Sequence, residues 1–87
     1  MYELEFSDSA ATFFENATAK LQRRLERCFE QIQENPRSHP NIKPLKGEYA
    51  GYYRYRLGDY RIVYSINDET IRVLILTIDH RSKVYES

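Results

Sequence analysis

The sequence predicts a small α+β domain: a mainly antiparallel sheet with two N-terminal helices packed on one face, in the order β-α-α-β-β-β. Three observations lead there. A period-two stretch opens the chain, apolar side chains then recur at helical spacing, and residues 52–78 fall into three runs rich in Tyr, Ile and Val. Because the helices precede most of the strands, they belong on one face of an antiparallel sheet rather than between parallel strands. At 87 residues the chain is expected to be one domain, 1–87, since a fold of this size spends its apolar residues on a single core.

Each element has a local reason. From Met1 to Phe6 the apolar Tyr2, Leu4 and Phe6 alternate with Glu3 and Glu5, as in a strand with one buried face. Ser7 is a natural N-cap, and Asp8 places a carboxylate at the positive end of a short helix running to about Asn16. Thr18 caps a longer helix whose Leu21, Leu25, Cys28, Phe29 and Ile32 form one apolar stripe, with Arg23, Arg24, Arg27, Glu30 and Glu34 on its solvated side. Asn35-Pro36 ends it, because the residue before proline is pushed out of the helical region. Pro36, Pro40 and Pro44 then stiffen an extended connection that returns the chain to the far end of the sheet. Strands follow over Tyr52–Leu57, Tyr60–Ile66 and Thr70–Ile78, joined by Gly58-Asp59, which suits a type II′ hairpin, and by Asn67-Asp68-Glu69.

Composition narrows the functional classes. Hydrophobic residues at 41% and charged residues at 30%, with three Gly and three Pro, exclude a disordered or fibrous chain. No apolar run approaches the roughly 18 residues of a membrane span, and the start lacks a signal-peptide pattern, so a cytoplasmic protein without a membrane partner is expected. The lone Cys28 reads as a buried apolar thiol. One Cys and two distant His offer no metal-ligand spacing, and no cofactor is expected. The net charge of zero conceals a split, −3 over residues 1–35 and +3 over residues 36–87, and the basic half holds seven of the eight tyrosines. Cations interleaved with aromatics are the material of a nucleic-acid surface.

With Gly58 and Asp59 at the hairpin tip, Leu57 pairs with Tyr60, Arg56 with Arg61 and Arg54 with Val63. Side-chain alternation then points Arg54, Arg56 and Arg61 the same way. Directly opposed like charges cost a sheet a few tenths to about 1 kcal/mol, a cost that a bound anion offsets. The bland alternative is a screened, solvated arginine face. The last strand delivers Asp79-His80-Arg81 to the edge of this sheet with Tyr85 beyond, so His, Arg and Tyr are expected to converge on the same anion.

Leu45-Lys46-Gly47, Tyr53-Arg54-Tyr55-Arg56-Leu57, Gly58-Asp59-Tyr60-Arg61-Ile62-Val63-Tyr64, Ile78-Asp79-His80-Arg81 and Val84-Tyr85 together resemble the signature of RelE toxins in the RelE/ParE superfamily. The resemblance runs over essentially the whole chain. It implies the toxin of a type II toxin–antitoxin pair: an endoribonuclease that works on the ribosome and cuts the A-site codon of mRNA. Its partners would be the ribosome, mRNA and a cognate RelB-like antitoxin. The implied reaction uses no metal: a 2′-hydroxyl attacks the adjacent phosphate, leaving a 2′,3′-cyclic phosphate and a 5′-hydroxyl.

By this resemblance Arg61 and Arg81 hold the scissile phosphate and stabilise its transition state, and Tyr85 orients the nucleotide or helps activate the 2′-hydroxyl. Arg54, Arg56 and Lys46 make up the phosphate-binding set. Arg54 and Arg56 stand where well-known members carry lysine, and arginine cannot give up its proton, so these two act as electrostatic clamps rather than bases. His80 is then the nearby side chain suited to proton transfer near neutrality. His39, in the proline-bearing connector, reads as a surface residue. Two other readings stay open: a ParE-like protein that poisons DNA gyrase by binding it without nuclease chemistry, and a non-catalytic partner-binding module.

Overall fold

A computed structural model describes residues 1–80, so Arg81 and Tyr85 lie outside the described residues. The elements are β1 (Glu3–Phe6), α1 (Asp8–Asn16), α2 (Ala19–Glu34), β2 (Ile42–Pro44), β3 (Tyr52–Leu57), β4 (Tyr60–Asn67) and β5 (Arg72–His80). They build one five-stranded sheet in the order β1-β5-β4-β3-β2. Pairing is antiparallel throughout except that β1 lies parallel to β5.

The expected architecture is present with one addition. The proline-bearing connector contributes β2, which pairs Ile42 with Tyr55 and Lys43 with Arg54, and a short 3-10 turn over Gly47–Tyr49 follows. Three residues that include a proline carry no alternation to read; the free edge of β3 recruits them.

Both helices begin as their sequences dictate. Ser7 Oγ accepts from Ala10 N at 3.1 Å, and Thr18 Oγ1 accepts from Leu21 N at 3.2 Å. Each bond satisfies one of the free amides of a first turn and contributes about 1 kcal/mol. The stripe of α2 buries Leu25, Cys28, Phe29 and Ile32 against Tyr55, Ile62, Tyr64, Val73, Ile75 and Ile78 of the sheet, with Ala10 of α1 completing the core. Complete burial of side chains such as Leu25, Ile32 and Ile62 stabilises the fold by about 1.5–3 kcal/mol each. Burial pushes the Cys28 thiol up to about 12.

Two features pin the layers together. The hydroxyl of the buried Tyr64 donates to the carbonyl of Pro36 at 2.6 Å, tying the end of α2 to the sheet centre. Arg37 donates to both carboxylate oxygens of Asp68, at 3.2 and 2.8 Å, while the Tyr2 hydroxyl donates to the same group at 2.7 Å. The start of β1, the connector and the β4–β5 turn thus meet on one carboxylate.

The β4–β5 register slips by one residue: Val63 faces Thr77 but Tyr64 faces Ile75, leaving Leu76 as the extra residue of a bulge. Because side chains alternate, this reverses the facing of everything beyond it. Val73 and Ile75 point to the helices before the bulge, and Ile78 does so after it. The bulge is held by Ser7, whose hydroxyl donates to Leu76 O at 2.5 Å and whose amide donates to Ile75 O at 2.9 Å.

Candidate functional site

The hairpin register is the one read from Gly58-Asp59: Leu57 faces Tyr60, Arg56 faces Arg61, Tyr55 faces Ile62 and Arg54 faces Val63. Gly58 has φ +57°, whereas Asp59 is not in the left-handed region, as a type II′ turn requires. Tyr55 and Ile62 belong to the core beneath the helices, so Arg54, Arg56 and Arg61 share the opposite face. Lys43, facing Arg54 from β2, joins them. The sequence did not reveal Lys43, because its strand carries no pattern; only pairing with β3 places it.

Arg61 is the one of these cations with a shielded donor lacking an acceptor among the described residues. It is half-buried, and that donor is its Nε. Arg56 opposes it on one side and Asp79 on the other. A shielded donor without an acceptor costs about 1–3 kcal/mol. Arg54 is anchored instead, with Nη1 donating to the Asn41 carbonyl at 2.8 Å, the same oxygen that receives Arg56 N at 2.9 Å. One of its five donors is thereby spent on holding the connector against β3.

Lys46 is exposed beyond the end of β2, near Tyr52, whose carbonyl accepts from Leu45 N. It therefore sits at the opposite end of β3 from Arg56, about 13 Å away at strand rise. The expectation that His80 turns toward the same anion as the arginines is corrected by the bulge at Leu76. Its ring lies edge-on to Tyr60 at 5.2 Å, and Tyr60 in turn meets Phe13 of α1 at 6.0 Å, on the helix side of the sheet. His39, half-buried, stacks on Tyr55 at 5.1 Å, and its Nδ1 accepts from Asn41 N at 3.1 Å, so it braces the loop entering β2. Among the described residues no group of three His, Cys, Asp or Glu side chains is placed to hold a metal ion, and no helix is long and apolar enough to cross a membrane.

The arrangement is a cationic sheet face whose central guanidinium has one shielded donor without an acceptor among the described residues. The family described as ParE toxin of type II toxin-antitoxin system, parDE, matches residues 4–85. The chain is 49% identical over 43 residues to Toxin RelG of Mycobacterium tuberculosis, covering 49% of each chain. It is 41% identical over 61 residues to Toxin RelE of the same organism, covering 70% of this chain and 61% of that one. The matched stretches thus span about half to three fifths of these relatives. Among solved structures, the toxin–antitoxin complex RelBE2 of M. tuberculosis contains a chain similar to this one, with a TM-score of 0.77 and 32% identity over 92% of this chain and 98% of that one.

Proposed function

Because the chain belongs to the ParE toxin family of type II toxin–antitoxin systems, we propose that it acts as a ribosome-dependent endoribonuclease that cuts mRNA in the A site and so inhibits translation. The observation that carries this reading is Arg61, half-buried, opposed to Arg56, with its shielded Nε lacking an acceptor. Two arginines opposed in register concentrate positive charge where the charge of a bound phosphate would grow in the transition state.

In the proposed step the 2′-oxygen of one nucleotide bonds to the adjacent phosphorus and the bond from phosphorus to the 5′-oxygen breaks. The products are a 2′,3′-cyclic phosphate and a 5′-hydroxyl. One proton leaves the 2′-hydroxyl and one arrives on the 5′-oxygen. DNA, lacking the attacking hydroxyl, is not a substrate. Arg61 and Arg56 clamp the phosphate, Arg54 and Lys43 hold the flanking backbone, and Lys46 meets the strand farther along β3. Arg81 and Tyr85 are proposed to complete the phosphate and nucleotide contacts. Arginine cannot accept the 2′ proton and His80 lies on the opposite face of the sheet from Arg61, so activation of the 2′-hydroxyl is assigned to Tyr85 in this proposal.

Purified protein, added to ribosomes programmed with mRNA in the presence and absence of EDTA, tests the reading. The expected result is an A-site cut with a 2′,3′-cyclic end, insensitive to EDTA and reduced about a hundredfold or more by Arg61→Ala. A folded protein that arrests growth without cutting mRNA would favour the second reading, gyrase poisoning, which the ParE description of the matching family supports. The toxin reading also implies a cognate antitoxin, in keeping with the toxin–antitoxin complex of the RelBE2 relative; an acidic antitoxin segment that orders on binding is part of the proposal.

A further inference from the structure

The absence of a side chain at Gly58 brings α2 into contact with the hairpin tip. A Cβ built on Gly58 would lie 2.8 Å from Arg24 Nη2, so the guanidinium rests directly against the turn. Arg24 and Arg27, one helical turn apart, also line an open cleft of about 760 Å³ between α2 and β3, walled by Cys28, Tyr55 and Leu57. Neither arginine is joined to a carboxylate in an ion pair among the described residues. Of the two carboxylates lining the cleft, Glu30 stands one turn beyond Arg27, about 4.5 Å along α2 at helical rise, and Glu34 about 6 Å farther. The cleft is therefore cationic at the hairpin tip and anionic at its far end.

From this geometry we infer that Arg24 and Arg27 form a second phosphate position for the RNA backbone, reached over the Gly58 tip from the Arg56–Arg61 pair; it rests on the RNA reading above. The β2 segment covers β3 as far as Arg56, whose amide donates to the Asn41 carbonyl, so Leu57 forms the margin of the sheet, and a strand leaving the arginine face passes over it onto α2. A polynucleotide crossing there meets four arginines in succession. An acidic peptide laid along the cleft would instead run into Glu30 and Glu34, which is why RNA is the preferred occupant. Arg24 and Arg27 are binding residues and take no part in bond making.

Fluorescence anisotropy with a short labelled single-stranded RNA and the full chain, over a range of salt concentrations, tests this. Arg24→Gln/Arg27→Gln should bind several-fold more weakly and lower the slope of log affinity against log salt by about one to two, since each phosphate contact releases counterions. Arg24→Lys/Arg27→Lys should restore most of the slope. An unchanged slope in the glutamine variant, with circular dichroism showing it folded, overturns the inference, as does wild-type protein that binds an acidic peptide at this cleft and no RNA. Ribosome cleavage is read separately with Arg61→Ala. A chain that binds RNA through Arg24 and Arg27 but cuts none would sink the nuclease reading and leave this one standing.

Discussion

Ser7 and Leu76 are 69 residues apart in sequence, yet the hydroxyl of one donates to the carbonyl of the other at 2.5 Å, at the bulge that sets which side chains of β5 face the arginines. The same hydroxyl caps α1 by accepting from Ala10 N. Ser7→Ala removes both bonds and should destabilise the fold by about 1–3 kcal/mol. A lower urea midpoint at unchanged m-value checks the energy. Weakened amide-exchange protection confined to Leu76 and Thr77 would show that the bulge has loosened.

Arg56 and Arg61, opposed in register, make the sheet less stable than it could be. Arg56→Gln should raise stability by a few tenths to about 1 kcal/mol, more at low salt than at high, while weakening RNA binding. Thermal melts at two ionic strengths beside anisotropy titrations read both effects. A variant that is less stable at both salts would refute the repulsion argument.

Tyr64 is fully buried, and its hydroxyl meets the Pro36 carbonyl. Tyr64→Phe keeps the ring stack on Tyr53 and deletes only that bond. A loss of about 1–2 kcal/mol is expected from urea denaturation.

The hydrogen bonds from Arg37, and then from Tyr2, hold the Asp68 carboxyl below its usual value. A depressed folded pKa contributes stability that is fully present above the unfolded value of about 3.9 and is lost as pH falls through the lower folded value. The urea midpoint should therefore decline below about pH 4, and Asp68→Asn should flatten that decline. Identical profiles for wild type and variant would show that Asp68 is not coupled to folding.

Ile71 closes the β4–β5 turn at φ +56°, a left-handed backbone that a β-branched residue adopts only under strain. Its side chain is 46% exposed, so little packing is lost on replacing it. Ile71→Asn should stabilise by about 1 kcal/mol, seen as a rise in Tm.

Local chemistry was enough to define the helices, their Ser7 and Thr18 caps, the three later strands, and the Arg56–Arg61 opposition that follows from Gly58-Asp59. Each depends on residues a few positions apart, where periodicity and turn geometry act directly. The sequence also carried the family signature, because that signature is made of these same strands.

Tertiary structure alone decided the rest. β2 exists because β3 had an unpaired edge, and Lys43 joined the cationic face with it. β1 pairs in parallel with a strand about seventy residues away, with Leu4 packed against the core while Phe6 stays exposed, a pairing that no local signal announces. His80 was expected beside the arginines, but a single extra residue at Leu76, held by Ser7, turned it to the helix side. Alternation propagates along a strand only until the register slips, and where it slips is decided by packing between segments far apart in the chain.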